Sequence, residues 1–124
     1  MKVRFLNKKT ETEEINEWLP FKIEPKDLPG HTFCAEVDGD IIAIAGLRLM
    51  EGEVCFIDSM ATNQAIKGEL RNEALDLLTQ EILKTAKTLG FKKIFATTSY
   101  DCIIKRAEKH GFKIVEHKVI SKEI

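Results

Sequence analysis

The sequence has no surplus of either charge. In 124 residues, 19 Lys and Arg stand against 20 Asp and Glu, a formal charge of -1. That balance argues against a protein that grips nucleic acid through bulk charge. The pairs Lys92-Lys93 and Lys105-Arg106 are too short to make a nucleic-acid patch. Cysteine is scarce and odd in number: Cys34, Cys55 and Cys102 lie far apart. A disulfide framework or zinc site is therefore not expected, and reduced thiols in a cytoplasmic protein are. His31, His110 and His117 show no metal-ligand spacing, so no metal is expected. No apolar run nears the roughly 20 residues that span a bilayer. The start, Met1 to Lys9, turns polar too soon for a signal peptide. There is no Gly-x-Gly-x-x-Gly and no Gly-x-x-x-x-Gly-Lys-Ser/Thr.

What is present is a globular composition, 44% hydrophobic, over a length that fits one domain, residues 1–124. Lys2 to Leu6 alternate weakly and suggest a short strand. Thr10-Glu11-Thr12-Glu13 reads as a helix start, with Thr10 and Glu13 as a capping box. Ile15, Trp18 and Leu19 give that helix an apolar stripe, and Trp18 reads as its anchor on a sheet. Phe21 to Gly30 holds Pro25 and Pro29, so a loop with at most a short helical turn is expected. Two strand-like runs then flank Asp38-Gly39, a strong hairpin signal. A further turn at Glu51-Gly52-Glu53 leads to Val54–Met60, which completes a three-stranded meander. Cys34 and Cys55 fall inside these runs and are expected in the core.

The period changes after Glu69. Leu70, Ala74, Leu75, Leu77, Leu78, Ile82, Leu83, Ala86 and Leu89 fit a long amphipathic helix, ended by Gly90. Ile94-Phe95-Ala96 reads as a buried strand. Ile103, Ile104 and Ala107 mark another helix, ended by Gly111, and Lys113 to Ile120 reads as a last strand. The long helix can cross between two parallel strands. The fold class is α/β (α+β): a mixed, mostly antiparallel sheet flanked by helices.

This order of elements resembles the GNAT-type N-acetyltransferase superfamily over nearly the full length, with a shortened C-terminus. Two stretches carry the resemblance. In Met60 to Leu75, Lys67-Gly68 stand where the family often has Arg-Gly, while Leu70 and Asn72 stand at two of its glycines. Ala107-Glu108-Lys109-His110-Gly111-Phe112 is similar to the family's Tyr-x-x-x-Gly-Phe, with Ala107 at the Tyr. That Tyr often protonates the leaving thiolate of CoA, and Ala107 has no proton to give.

The resemblance implies a direct acetyl transfer from acetyl-CoA, or another acyl-CoA, to a primary amine on a small molecule or protein. The thioester would lie beside Met60, Ala61 and Thr62. The pyrophosphate would lie over Lys67, Gly68, Glu69, Leu70, Arg71 and Asn72, where helix amides favour an anion. A cation at that helix start is mildly unfavourable without an anion nearby, which favours a phosphate role for Lys67 and Arg71. An acceptor pocket would draw on Trp18 to Gly30 and Ser99 to Cys102.

Asp58 lies in an otherwise apolar strand and is the candidate base. Burial would raise its pKa, whereas strand alternation would instead turn it to solvent or an ion pair. Glu36 and Glu53 are weaker candidates. Tyr100 and Ser99, with Cys102 nearby, are candidate proton donors to the thiolate. Cys102 has no His placed near it as a nucleophile's base. The alternative is an inactive module that keeps the fold and has lost the chemistry. A free sheet edge would leave a surface for a partner or a homodimer.

Overall fold

In the computed structural model, which describes residues 1–98 and 100–124, the Asp38-Gly39 turn takes the form its residue types allow. Asp38 has φ 51° and Gly39 φ 86°. Two successive positive φ values give the twist that joins antiparallel strands. The hairpin strands are β2 (His31–Val37) and β3 (Asp40–Leu49). Before them come β1 (Lys2–Phe5), α1 (Lys8–Asn16) and a 3₁₀ turn at Pro25–Asp27. After them come β4 (Val54–Thr62), α2 (Gly68–Thr88), β5 (Lys93–Phe95) and α3 (Asp101–Lys109). The described strands form one sheet in the order β1-β2-β3-β4-β5. The first three junctions are antiparallel, and β4 pairs with β5 in parallel across α2.

The centre of the sheet is covered on both faces, which is why Ile41 to Leu47 are all buried. Successive side chains point to opposite faces. Phe33 and Ala35 face α2, where Ala74, Leu78, Ile82 and Ala86 form a stripe at helical spacing. Cys34, Ile41 and Ile44 pack with Leu6, Ile15 and Leu28 on the α1 side, and Trp18 packs against that cluster. Leu78 and Ile82 are fully buried. Each contributes about 1.5–3 kcal/mol by leaving water.

Three expectations are corrected. The capping box of Thr10 with Glu13 does not form. Helix α1 begins earlier, after Asn7, and has no side-chain cap. Glu11 is instead the organising residue. Its Oε1 accepts the Asn7 amide at 2.8 Å, and the carboxylate pairs with Arg4 at 2.7 and 2.8 Å. Arg4 also bonds Glu36 at 2.9 Å. The hydrogen bond from Arg4, against the opposing effect of burial, lowers the Glu11 pKa. This three-residue link joins β1, α1 and β2, and a local cap cannot compete with it.

The helix ends follow the sequence closely. Gly90 and Gly111 both have φ 88°. Phe91 donates back to Ala86 and Phe112 to Ala107, each at 3.0 Å. Gly90 and Gly111 donate to Lys87 and Glu108. Both Gly-Phe pairs are therefore the same Schellman cap. Only the first is followed by a strand. The expected strand Lys113–Ile120 is absent, and Ile114, Val115, Val119 and Ile120 are exposed. A strand needs a partner for its amides, and β5 is only three residues long. The third correction concerns α2, which starts at Gly68 rather than Glu69.

Candidate functional site

Strand β4 carries the site because it breaks its own register. Asp58 lies opposite Gly46 and Ala61 opposite Ile44, so Ser59 and Met60 together face Ala45. This is a β-bulge. Ser59 sits at its centre with φ 59°, in the left-handed region. Such a conformation costs about 1–3 kcal/mol in a residue with a Cβ. Gly46 lies in a tight place beside it. A Cβ there would lie 2.7 Å from Pro29 Cγ and 3.0 Å from the Asp58 carbonyl oxygen. The loop before β2 thus lies directly on the sheet.

On the other side, β4 and β5 pair only from Val54 with Lys93 to Phe56 with Phe95. From Ile57 to Thr62, β4 has no neighbouring strand on that side among the described residues. A cavity of about 50 Å³ occupies the gap, lined by Ile57, Met60, Thr79, Ala96, Ala107 and Phe112 among others. A second pocket, of about 70 Å³, lies towards α1. Its lining includes Leu19, Phe21, Asp27, Leu28, Ile44 and Ser59, and also Met60 and Ala61. Met60 borders both cavities.

The first turn of α2 stands just beyond the end of β4. Its N-cap, Lys67, makes no side-chain cap bond. The first return bond runs from the Arg71 amide to the Lys67 carbonyl at 3.1 Å. The amides of Gly68, Glu69 and Leu70 therefore lack an acceptor within the helix. Lys67, Gly68 and Glu69 are exposed. Around Gly68 an added Cβ would meet only Arg71 Nη2, at 3.7 Å, so the space above it is open. Leu70 is turned inward, against the α2-side core. Asn72 is held by Arg106, whose Nη2 donates to Asn72 Oδ1 at 2.7 Å. Arg71 folds back to donate to Gln64, while its Nε is buried without a partner. Gln64 in turn donates to Thr62 Oγ1 at 3.0 Å. The side chains of Leu70 and Asn72 are thus engaged elsewhere and do not project over the helix start.

The candidate base is not buried. Asp58 accepts from Arg48 Nε at 2.8 Å, and its side chain is 44% exposed. It also accepts the Ser59 amide at 2.7 Å. The ion-pair environment, one of the two expected for this strand position, is the one found. The neighbour of Asp58 in sequence, Ser59, lines the α1-side pocket. Tyr100 is exposed and caps α3 through its carbonyl, which accepts from Ile103 and Ile104. It lines neither cavity. Ser99 lies outside the described residues. Cys102 is exposed, while Cys34 and Cys55 are buried. Burial pushes the Cys34 thiol up to about 11, against the pull of Arg4. Glu36 is tied to Arg4.

Asp27 and Arg48 are the residues that sequence reasoning missed. Asp27 closes a capping box with Glu24 around Pro25, a legible local signal. Arg48 carried none, because its role comes from a cross-strand ion pair with Asp58.

No protein-family model matches the sequence, and no curated protein does. Solved structures match along the whole chain. The protein TTHA1254 of Thermus thermophilus is similar with a TM-score of 0.76 at 15% identity, over 100% of this chain and 98% of that one. An acetyltransferase of Trypanosoma brucei gives 0.75 at 16%, over 98% and 99%. The aminoglycoside N-acetyltransferase AAC(6')-Iy in complex with CoA gives 0.74 at 18%, over 99% of each chain. The chain has the fold of the GNAT-type acyl-CoA N-acyltransferases. Within that fold class, it combines the parted β4–β5 pair with an uncovered α2 N-terminus. No helix is long and apolar enough to cross a membrane among the described residues.

Proposed function

We propose that this chain is an acetyl-CoA-dependent N-acetyltransferase that passes acetyl directly to a primary amine. The observation that carries the reading is the pairing of two open backbone sites. One is the free side of β4 from Ile57 to Thr62, and the other is the uncovered start of α2. Together they suit the two polar parts of a CoA thioester, its amide-bearing arm and its pyrophosphate. Similar folds have been crystallised with CoA, as with AAC(6')-Iy, and with acetyl-CoA, as with a Clostridium acetobutylicum protein.

In this reading the pyrophosphate rests on the amides of Gly68, Glu69 and Leu70, with Lys67 and Arg71 supplying positive charge. Asn72 stands beside this site without a free donor, since its amide lies in the helix ladder and Arg106 holds its side chain. The thioester lies beside Met60, Ala61 and Thr62, where main-chain donors meet the developing oxyanion. The amine enters from the α1-side pocket. Its nitrogen attacks the thioester carbon, forming the C–N bond. The C–S bond then breaks and the electron pair leaves with the thiolate. Asp58, directly or through water, takes the proton that the amine loses. Tyr100 or Ser99 returns a proton to the thiolate, the part that Ala107 cannot play. No side chain is activated as a nucleophile, so transfer is direct.

The alternative, a module that has lost the chemistry, draws its force from Leu70 and Asn72 at glycine positions. Both side chains turn away from the helix start, which favours the transferase. The test is calorimetric titration with acetyl-CoA and with CoA, on the wild type and on Gly68→Phe. One-to-one binding by the wild type is expected, weakened at least about tenfold in the variant by lost backbone approach. No binding at millimolar ligand, or equal binding by the variant, would overturn the reading.

A further inference from the structure

We infer that the segment from Lys113 to Ile120 is the contact surface for a second copy of this chain, joined as an antiparallel β-ladder about a two-fold axis at His117. The inference does not depend on the acyl-transfer reading.

The segment follows the cap at Gly111 and pairs with no strand among the described residues. Its Ile114, Val115, Val119 and Ile120 are between 53% and 93% exposed. All four are β-branched, which suits them to a strand that packs against a neighbour. The order of the residues says what that neighbour is. With two copies set antiparallel and His117 opposite His117, Val115 stands opposite Val119 of the second copy, and Ile114 opposite its Ile120. Glu116 stands opposite Lys118 of the second copy, and Lys118 opposite its Glu116. Away from the axis, these pairs match apolar with apolar or join opposite charges, the kinds that stabilise a ladder. Ile114, Glu116, Lys118 and Ile120 share one face, and Val115, His117 and Val119 share the other.

Neighbouring registers lose this match. Centring the ladder on Glu116 or on Lys118 sets like charges face to face on the axis. A shift by one residue in pairing sets Lys118 opposite Val115, or Glu116 opposite Val119. A parallel in-register pairing stacks Glu116 on Glu116. A pattern that complements itself about one point is what an isologous contact requires, and such a contact closes at two copies.

The fold leaves room for the ladder. Phe112 and Ala96 line the same cavity, and Ala96 follows the last residue of β5. The segment therefore leaves α3 beside the end of β5, the outermost described strand of the sheet. A ribbon of two strands standing alone is only marginally stable. Here each strand of the ribbon can run back along the open edge of its own β5, antiparallel to it, and present its other edge to the second copy.

Sedimentation equilibrium of the full chain tests this, at low salt and at pH 8, where imidazole is ordinarily neutral. The wild type should show twice the chain mass at micromolar concentration. Glu116→Lys and Lys118→Glu each set like charges opposite one another at two points. Each should weaken self-association at least about tenfold. An equimolar mixture of the two single variants should associate as the wild type does, because every ion pair forms again between unlike chains. The double variant should also self-associate, since its exchanged charges meet opposite partners. Both positions are exposed, and recovery in the mixture shows that each single variant is folded. A monomeric wild type would overturn the inference. So would a dimer indifferent to both single variants, or failure of the mixture or the double variant to regain association.

Discussion

Arg106 donates to Asp76 across 2.9 Å, and this bond ties α3 to α2. Lys109 and His110 converge on the same carboxylate at 2.9 and 3.0 Å. No residue of α3 is fully buried, so polar contacts carry an unusual share of its attachment. The same Arg106 fixes Asn72 on the first turns of α2. The cluster therefore links the position of α3 to the proposed pyrophosphate site.

Asp76→Asn should destabilise the protein by about 1.5–3 kcal/mol at neutral pH, the range for hydrogen bonds to a charged group. Burial raises the Asp76 pKa, but the bonds from His110, Lys109 and Arg106 more than reverse this. They hold it well below the usual carboxylate range. A carboxylate depressed in the folded state stabilises fully above its unfolded pKa, about 3.9 for Asp, and loses that contribution as pH falls further. Urea melts at pH 7 and pH 3 check this. The gap between wild type and variant should narrow at pH 3, and a gap of constant size would refute the assignment.

Gly46→Ala should cost about 1–3 kcal/mol, the usual range for overpacking a tight site. Its Cβ would collide with Pro29 and with the Asp58 carbonyl oxygen. A thermal melt measures the loss. A variant as stable as the wild type would mean that the loop before β2 yields without resistance. Gly68→Ala is the contrasting control, since its Cβ meets nothing closer than 3.7 Å.

The thiols should separate cleanly. Cys102 is exposed, whereas Cys34 and Cys55 are fully buried and raised in pKa by that burial. A thiol reagent such as Ellman's should titrate one group promptly in the native protein and all three after denaturation. Prompt reaction of two or more would show that the core opens readily.

Asp58→Asn should lower kcat about 10²-fold if Asp58 takes the amine proton, with acetyl-CoA affinity unchanged. Initial rates and calorimetry together check this. Tyr100→Phe should lower kcat alone if its hydroxyl supplies the thiolate proton. A Tyr100→Phe variant with wild-type kcat would leave Ser99 as the candidate.

Local chemistry in the sequence determined much of the architecture. Asp38-Gly39 specified the hairpin because few residue pairs accept two positive φ values. The apolar residues from Leu70 to Leu89 specified α2, and packing selected Ala74, Leu78, Ile82 and Ala86 as its buried face. Gly90-Phe91 and Gly111-Phe112 specified two identical helix ends. These signals act over a few residues, so they survive in a one-dimensional reading.

The site was legible only in part. The resemblance pointed to the β4 end and the α2 start, but Leu70 and Asn72 looked like obstructions until packing showed where their side chains go. The strand pattern left Asp58 open to burial, or to solvent and an ion pair, and Arg48, ten residues earlier, decided between them. Lys113 to Ile120 has the composition of a strand and forms none, because a strand depends on a neighbour's edge and not on its own residues. Helix stripes, turns and caps were thus settled by neighbours in sequence. The bulge at Ser59, the parting of β4 from β5 and the Asp76 cluster were decided by the tertiary structure, since each is made by groups that only folding brings within a few ångströms.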